Sequence, residues 1–489
     1  MGPIAKNIVA LLGSQVASWL VTILLLIFIP QYLGDKQFGQ FSFAVSFVGF
    51  FGMFAGLAGG TFVVKQIARD HGLVGPYVLN ALLMGLPLAG LLSGAAIAGA
   101  YLLGYPAQTC AIVAVGCIGM TLNTVNSTLV SGLQGQQRMG RTALWAIVDR
   151  YIVGALLIAV LLAGKGLFWV AVAASLSGIV SIAGNGTQLA RQLRASGRLD
   201  FRLWKVLVWG GAPFLLWSIV LTVYGSIDII MLSKMTSDAV VGWYSLAFRL
   251  VATPVFLASI VVTALFPQLS AFGASASSEY TALVNRAVRM VFFASAPMTA
   301  GLALVAGDLL AFLHYPTQFT HSVPLIRILA LHIPIVGITM VLGAALMAGD
   351  RQKQWVGVGV IAAVCNPLLN LFAIPFTVNA FGNGAVGSSV ITVATELVML
   401  CGALYLMRRY NVPNRQTIGF VVRCTVACAA MVGVVVVSGG TWLPVRIIIG
   451  MITYGLASLA LGTLSASEVG RGFFRILGVA RLSRAPSIS

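Results

Sequence analysis

Apolar residues run along this chain in blocks of 20 or more, and polar residues are confined to the short stretches between them. A helix rises about 1.5 Å per residue, so each block can cross about 30 Å of hydrocarbon with its backbone hydrogen bonds satisfied internally. Fourteen spans are predicted, at 8–30, 39–63, 80–103, 107–131, 142–164, 167–190, 206–232, 240–266, 288–313, 323–347, 355–378, 384–407, 417–438 and 443–463. Only Gly164-Lys165-Gly166 separates the fifth from the sixth. The connections, with 191–205 and 268–287 among the longer cytoplasmic ones, are too short to fold as domains. The first block is span-length and lacks a small-residue cleavage site, so it reads as a membrane helix, not a cleaved leader. Prolines inside spans, at Pro87, Pro213, Pro254, Pro297, Pro334 and Pro367, predict kinks.

Two stretches echo each other. Residues 38–47, FGQFSFAVSF, align at an offset of 203 with the stretch VGWYSLAFRL that ends at Leu250. Gly39 then falls on Gly242, Phe41 on Tyr244, Ser42 on Ser245 and Ala44 on Ala247. A second echo, Leu133-Gln134-Gly135 against Met347-Ala348-Gly349, follows at an offset of 214. In order and at nearly equal spacing, they predict a duplication of about 200 residues. Six spans per repeat is an even number, so both halves keep one orientation and face a cavity about an axis along the membrane normal. The expected divisions are a six-helix bundle at 1–203, another at 204–410, two further spans at 411–464 and a basic tail at 465–489. In the tail, Arg471, Arg475 and Arg481 interleave with Phe473, Phe474, Ile476 and Leu477; a short interfacial helix and a frayed basic end both fit.

Composition settles the class. Charged residues are 8% of the chain where a soluble protein carries about 25%, so the fold class is an all-α integral membrane protein. The net charge of +18 would suit a nucleic-acid partner if it were clustered. Instead, 21 of the 29 basic residues fall on the termini and the even-numbered connections, against three (Lys36, Lys165 and Lys234) on the odd-numbered ones. That bias places both termini in the cytoplasm and leaves the bilayer, not nucleic acid, as the partner of the charge.

Several stretches carry a resemblance. They are Leu33-Gly34 with FGQFSFAVSF, VVKQIARD at 63–70, GLQGQQRMG at 132–140, Ile227-Asp228 with Met231-Leu232, VGWYSLAFRL, TALFPQLS at 263–270 and LIRILALHIP at 325–334. In this order the chain resembles the polysaccharide (oligosaccharide-lipid) flippases of the multidrug/oligosaccharidyl-lipid/polysaccharide exporter superfamily. The resemblance implies two six-helix bundles around a central cavity. It also implies transport of an undecaprenyl-pyrophosphate-linked glycan from the cytoplasmic to the outer leaflet of the bacterial inner membrane. A polysaccharide polymerase and chain-length proteins are the implied protein partners. The two extra spans are like those of the lipid II flippases and of other members.

Such a cargo needs cations for its phosphates and hydrogen-bonding groups for its sugars, because a polar head cannot cross bare hydrocarbon. Candidate substrate-binding residues are Lys65, Arg150, Arg249 and Arg327, with Trp19 and Trp217 as platforms for sugar rings. Candidate ion-coupling residues are Asp149, Asp228 and Glu396. Arg249 lies about 14 Å into its span and Glu396 about 18 Å into its own, both near mid-membrane. A structural alternative stands beside each: Arg249 as ion-pair partner of Asp228 or Glu396, the carboxylates as structural partners, the tryptophans as packing. Asp149 and Arg150 point about 100° apart on one helix, so they cannot both face one groove squarely. Cys424 and Cys428 share a helix face but read as small hydrophobes. The four histidines have no ligand spacing, and no phosphate-binding loop is present, so neither metal nor cofactor is expected.

Rival readings come from other classes. A drug–ion antiporter of the same superfamily would present carboxylates to its cavity. A membrane glycosyltransferase or polymerase would need a large outer loop, which the short connections exclude. A lipid II flippase would differ only in cargo. The basic bias makes the orientation testable: reporters fused after Arg202 and Arg484 should read cytoplasmic and one after Lys234 periplasmic. A C-terminus on the outer side would make the span count odd and the pairing of halves wrong.

Overall fold

The structure is a computed structural model and describes residues 3–55, 60–272 and 277–464. The basic tail at 465–489 lies outside them. Among the described residues there is no strand. The first half contains α1 (Pro3–Ala55), α2 (Gly60–Arg69), α3 (Val74–Leu102), α4 (Ala107–Gly135), α5 (Met139–Leu162), α6 (Gly166–Ser175) and α7 (Ile179–Ser196). Then come α8 (Phe201–Met235), α9 (Asp238–Ala252), α10 (Phe256–Phe272), α11 (Ser278–Phe312), α12 (Val323–Leu329) and α13 (His332–Ala348). The last four are α14 (Gln352–Phe381), α15 (Gly384–Met407), α16 (Arg415–Val437) and α17 (Leu443–Ala460).

Among the described residues, twelve helical runs are long and apolar enough to span a membrane, thirteen when Thr317–Leu329 and His332–Ala348, bent by 44°, are taken as one. The run Ser18–Arg69 holds two of the predicted spans, joined at Gly34 (φ 68°, ψ −179°), a backbone conformation that glycine adopts without strain. Counting its two arms apart gives the fourteen that the apolar pattern predicts. Three predicted spans are interrupted. The sixth breaks at Leu176–Gly178, with Gly178 at φ 98°. The eighth passes through a 3₁₀ turn at Thr253–Val255, where Pro254 cannot extend the helical ladder. The tenth bends just before α13, whose third residue is Pro334. Pro87, Pro297 and Pro367 lie inside helices that continue through them.

The chain forms two compact units. The first comprises Met1–Thr253, Leu310–Leu329 and Gln352–Gly402. One of its cores packs Ile67 of α2, Val78 of α3, Leu129 and Leu133 of α4, Leu189 of α7 and Leu207 of α8. The second comprises the described residues of Pro254–Leu309, Ala330–Arg351 and the chain from Ala403 onward. There the last two helices pack on α11 through Val305, Ala427, Met431, Leu443 and Tyr454. Asn285 of α11 clips the turn before α16, accepting from the Asn414 N–H (3.0 Å) and the Thr417 hydroxyl (2.8 Å).

Within the first unit, α1 crosses α9 at the two echoing glycines. A Cβ on Gly39 would lie 1.8 Å from the Asp238 carbonyl oxygen, and one on Gly242 2.1 Å from that of Asp35. The offset of 203 that maps Gly39 onto Gly242 also maps Asp35 onto Asp238, so the contact is reciprocal. The side chains repeat it: Gln40 Nε2 donates to Asp238 Oδ2 (2.8 Å), and Trp243 Nε1, at the equivalent position, donates to Asp35 Oδ2 (3.0 Å). Ser42 and Ser245, also equivalent, are both buried there. Backbones meet this closely only where neither residue carries a side chain. Gly39→Ala or Gly242→Ala should therefore lower the melting temperature of the detergent-purified protein by several degrees, since overpacking costs about 1–3 kcal/mol. Gly49→Ala, with nothing within 4 Å of the added carbon, should melt with the wild type. Unchanged melting of Gly242→Ala would mean that the crossing is not formed.

Candidate functional site

Two features of the first unit carry chemistry. The larger is a cavity of about 810 Å³ bounded by α1 and by α4 through α8. Its polar lining is hydroxyl and amide: Asn123, Asn126 and Ser127 share one face of α4, and Ser218 and Thr222 share one face of α8. Arg150 of α5 adds a guanidinium, whose Nη2 donates to Thr22 Oγ1 (2.9 Å) while the side chain stays exposed.

Asp149, its sequence neighbour, also lines the cavity, but its oxygens are engaged. They accept from the Gly178 N–H (2.9 and 3.1 Å), from the Val180 N–H (3.1 Å) and, more weakly, from Ser181 N–H (3.4 Å). These are the donors freed where α6 gives way to α7, and a carboxylate there meets the positive end of the second helix. The helix angle expected to part Asp149 from Arg150 does not keep either from the cavity; it sends Asp149 to the helix break and Arg150 toward α1.

The second feature is a polar node around Asp228 of α8, which is 4% exposed. Its carboxylate accepts from Tyr244 of α9 (2.8 Å), Thr392 of α15 (2.9 Å) and the Asn370 amide of α14 (2.7 Å). Asn370 in turn donates to Asn366 Oδ1 (3.0 Å) and accepts from the Ser388 hydroxyl (2.9 Å). Every one of these partners is neutral. Bonded groups at this depth offset a charge that hydrocarbon alone would not tolerate. Sequence reasoning missed the amides and hydroxyls. Their signal is present, since Asn366 and Asn370, like Ser388 and Thr392, are polar pairs four residues apart in otherwise apolar spans.

The remaining candidates are scattered. Glu396 of α15, one turn from Thr392, is buried, and its Oε2 has no hydrogen-bond partner among the described residues. Arg249 of α9 is half-buried with its guanidinium 5.2 Å from the centre of the Phe38 ring. Among the described residues it has no carboxylate within ion-pair reach. The ion pair present joins Arg446 of α17 to Asp308 of α11, in the second unit. Lys65 on α2 and Arg327 on α12 are exposed. Trp19 is half-buried on α1, next to the cavity residue Ser18. Trp217 belongs to α8, but its side chain lies outside the described ones.

Two family models match this chain, each over more than half its length. "Polysaccharide biosynthesis protein" covers residues 4–273, and "Lipid II flippase MurJ" covers residues 151–453. The chain is a flippase of the multidrug/oligosaccharidyl-lipid/polysaccharide exporter superfamily. A relative described as a probable flippase, AglR of Haloferax volcanii, is 23% identical over 424 residues, 83% of each chain. Among solved structures, the lipid II flippase MurJ in an inward closed conformation superposes with a TM-score of 0.73 at 13% identity, over 97% of this chain and 99% of that one. An inward-facing multidrug resistance MATE transporter superposes at 0.65 with 14% identity, over 82% of this chain and 94% of its own. At such identities these likenesses establish the fold alone; the two family matches make the chain a transporter rather than a catalyst.

The helix break should depend on its carboxylate. Asp149→Ala leaves buried backbone donors without acceptors and should cost about 1–3 kcal/mol of stability, with Asp149→Asn losing less. Thermal melting of the three proteins would show it; an Ala variant as stable as the wild type would rule out the capping role.

Proposed function

We propose that this flippase carries an undecaprenyl-pyrophosphate-linked oligosaccharide repeat unit to the outer leaflet for polysaccharide synthesis, by alternating access coupled to an ion gradient. The observation that carries the reading is the lining of the 810 Å³ cavity. Amides and hydroxyls suit sugar hydroxyls, and the fork of Arg150 suits a phosphate oxygen pair. The one carboxylate there, Asp149, is held by backbone donors and presents no bare negative charge. That disfavours a cationic drug as cargo. The basic bias supports cytoplasmic termini in a bacterial inner membrane. The reciprocal α1–α9 contact supports a duplication dividing 1–203 from 204–410.

Roles follow for the remaining residues. Arg249, deep in its span and free of a carboxylate, is the second phosphate-binding cation; Lys65 and Arg327 attract the anionic head from exposed positions, and Trp19 and Trp217 stack on sugars. Asp228, surrounded by neutral donors, is the coupling site, where a proton or a small cation can be taken up without displacing a salt bridge. A polymerase and chain-length proteins would receive the product. A lipid II cargo is the second reading, favoured by the family match over residues 151–453.

Three measurements test this. In proteoliposomes, Arg249→Ala should abolish flipping at normal protein level and insertion, with partial rescue by Arg249→Lys; full activity with Ala would remove the residue from the mechanism. Moving one charge through 100 mV is worth about 2.3 kcal/mol, so wild-type flipping should slow markedly when proton gradient and potential are both collapsed. An unchanged rate would exclude coupling. Lipid II flipped faster than an oligosaccharide-linked undecaprenyl pyrophosphate would favour the second reading.

A further inference from the structure

The seam between α8 and α15 holds two carboxylates, and the structure treats them oppositely. Asp228 receives three donated hydrogen bonds, a set that matches an ionised carboxylate. Glu396 is 5% exposed and its Oε2 receives none among the described residues. Beside it stands the Tyr224 hydroxyl, four residues before Asp228 on α8, likewise without a partner within normal bonding geometry. Tyr224 sits close enough to interact with both Glu396 and Asp228, and Thr395 completes its surroundings. The other ionisable group on this seam is Tyr244 of α9, bound to Asp228, while α14 contributes only the amides of Asn366 and Asn370. Among the described residues no cation acts on Glu396.

An ionised carboxylate with an orphaned oxygen at this depth would carry an uncompensated charge. The neutral acid needs only one acceptor for its O–H, and the tyrosine oxygen can be that acceptor. We propose that Glu396 is a proton-exchange site, distinct from the Asp228 node, with Tyr224 as its hydrogen-bond partner and its link toward Asp228. With the proton in place, the carboxyl O–H turns to the Tyr224 oxygen as its acceptor. When the seam opens to water the proton passes from the carboxyl group to water, and the Tyr224 O–H turns to donate to the carboxylate left behind. One proton leaves, one negative charge remains, and no bond other than that O–H is broken. The transport role of this exchange rests on the ion-coupled cycle proposed above; the resident proton does not.

Infrared spectroscopy of the purified full-length protein separates the two, because the carbonyl stretch of a protonated carboxyl group is distinct from carboxylate bands. At neutral pH the wild type should show a buried carboxylic-acid band that exchanges slowly in D₂O. Glu396→Gln should abolish it and Asp228→Asn should leave it, while Tyr224→Phe should shift its frequency by removing the acceptor. A wild type without the band, or a band lost in Asp228→Asn and kept in Glu396→Gln, would overturn the proposal. Neither result depends on whether flipping follows a gradient, so failure of the coupling reading would be seen separately in the transport assay.

Discussion

The contact on which the first unit depends is the crossing of α1 and α9, where Gly39 and Gly242 let two backbones touch. In lipid, helices gain little from hiding apolar surface from one another, because lipid tails are as apolar as leucine. Close backbone approach and interhelical hydrogen bonds supply the specificity instead. Here both are present, and each is made twice. Asp35 and Asp238 accept through their side chains at equivalent places, and their carbonyls pack against the facing glycines. The same crossing sets Arg249 of α9 over the Phe38 ring of α1.

A second constraint acts through every span: a charge within hydrocarbon must be satisfied or used. Arg446 and Asp308 satisfy each other. Asp149 is satisfied by the N–H groups released at the α6–α7 break, and Asp228 by a ring of hydroxyls and an amide from three other helices. Arg249 and Glu396 have neither arrangement among the described residues, and these are the two placed near mid-membrane by residue counting. Cost without local compensation is the physical reason to look for function there.

The cavity extends the same logic to the cargo. Its walls offer many weak, neutral hydrogen-bonding groups and few charges. Such a surface can hold a sugar chain without fixing it, and a carrier that must release its load on the far side cannot bind it too tightly. Arg150 is hydrogen-bonded to Thr22 while remaining exposed, so it has donors left for an anion.

Much of this was legible in the chain. The span count follows from runs of apolar residues, because only a helix can carry that much backbone across hydrocarbon. The offset that pairs Gly39 with Gly242 was legible, although the matching aspartates that make their contact reciprocal went unread between more conspicuous apolar neighbours. The interruptions of the sixth, eighth and tenth spans did not show as separate helices, since a broken span keeps the composition of a straight one. Nor did sequence distinguish Asp149 from Asp228 and Glu396, three carboxylates in three apolar spans. Only the packing of α8, α9, α14 and α15 surrounds Asp228 with donors, and only the break at Gly178 turns freed N–H groups toward Asp149. Apolar periodicity and length fix which segments enter the membrane, because that depends on each segment's own transfer energy. Which buried charges are bonded and which stand bare depends on side chains as far as 164 residues apart, as with Asp228 and Thr392, and only the tertiary structure brings those together.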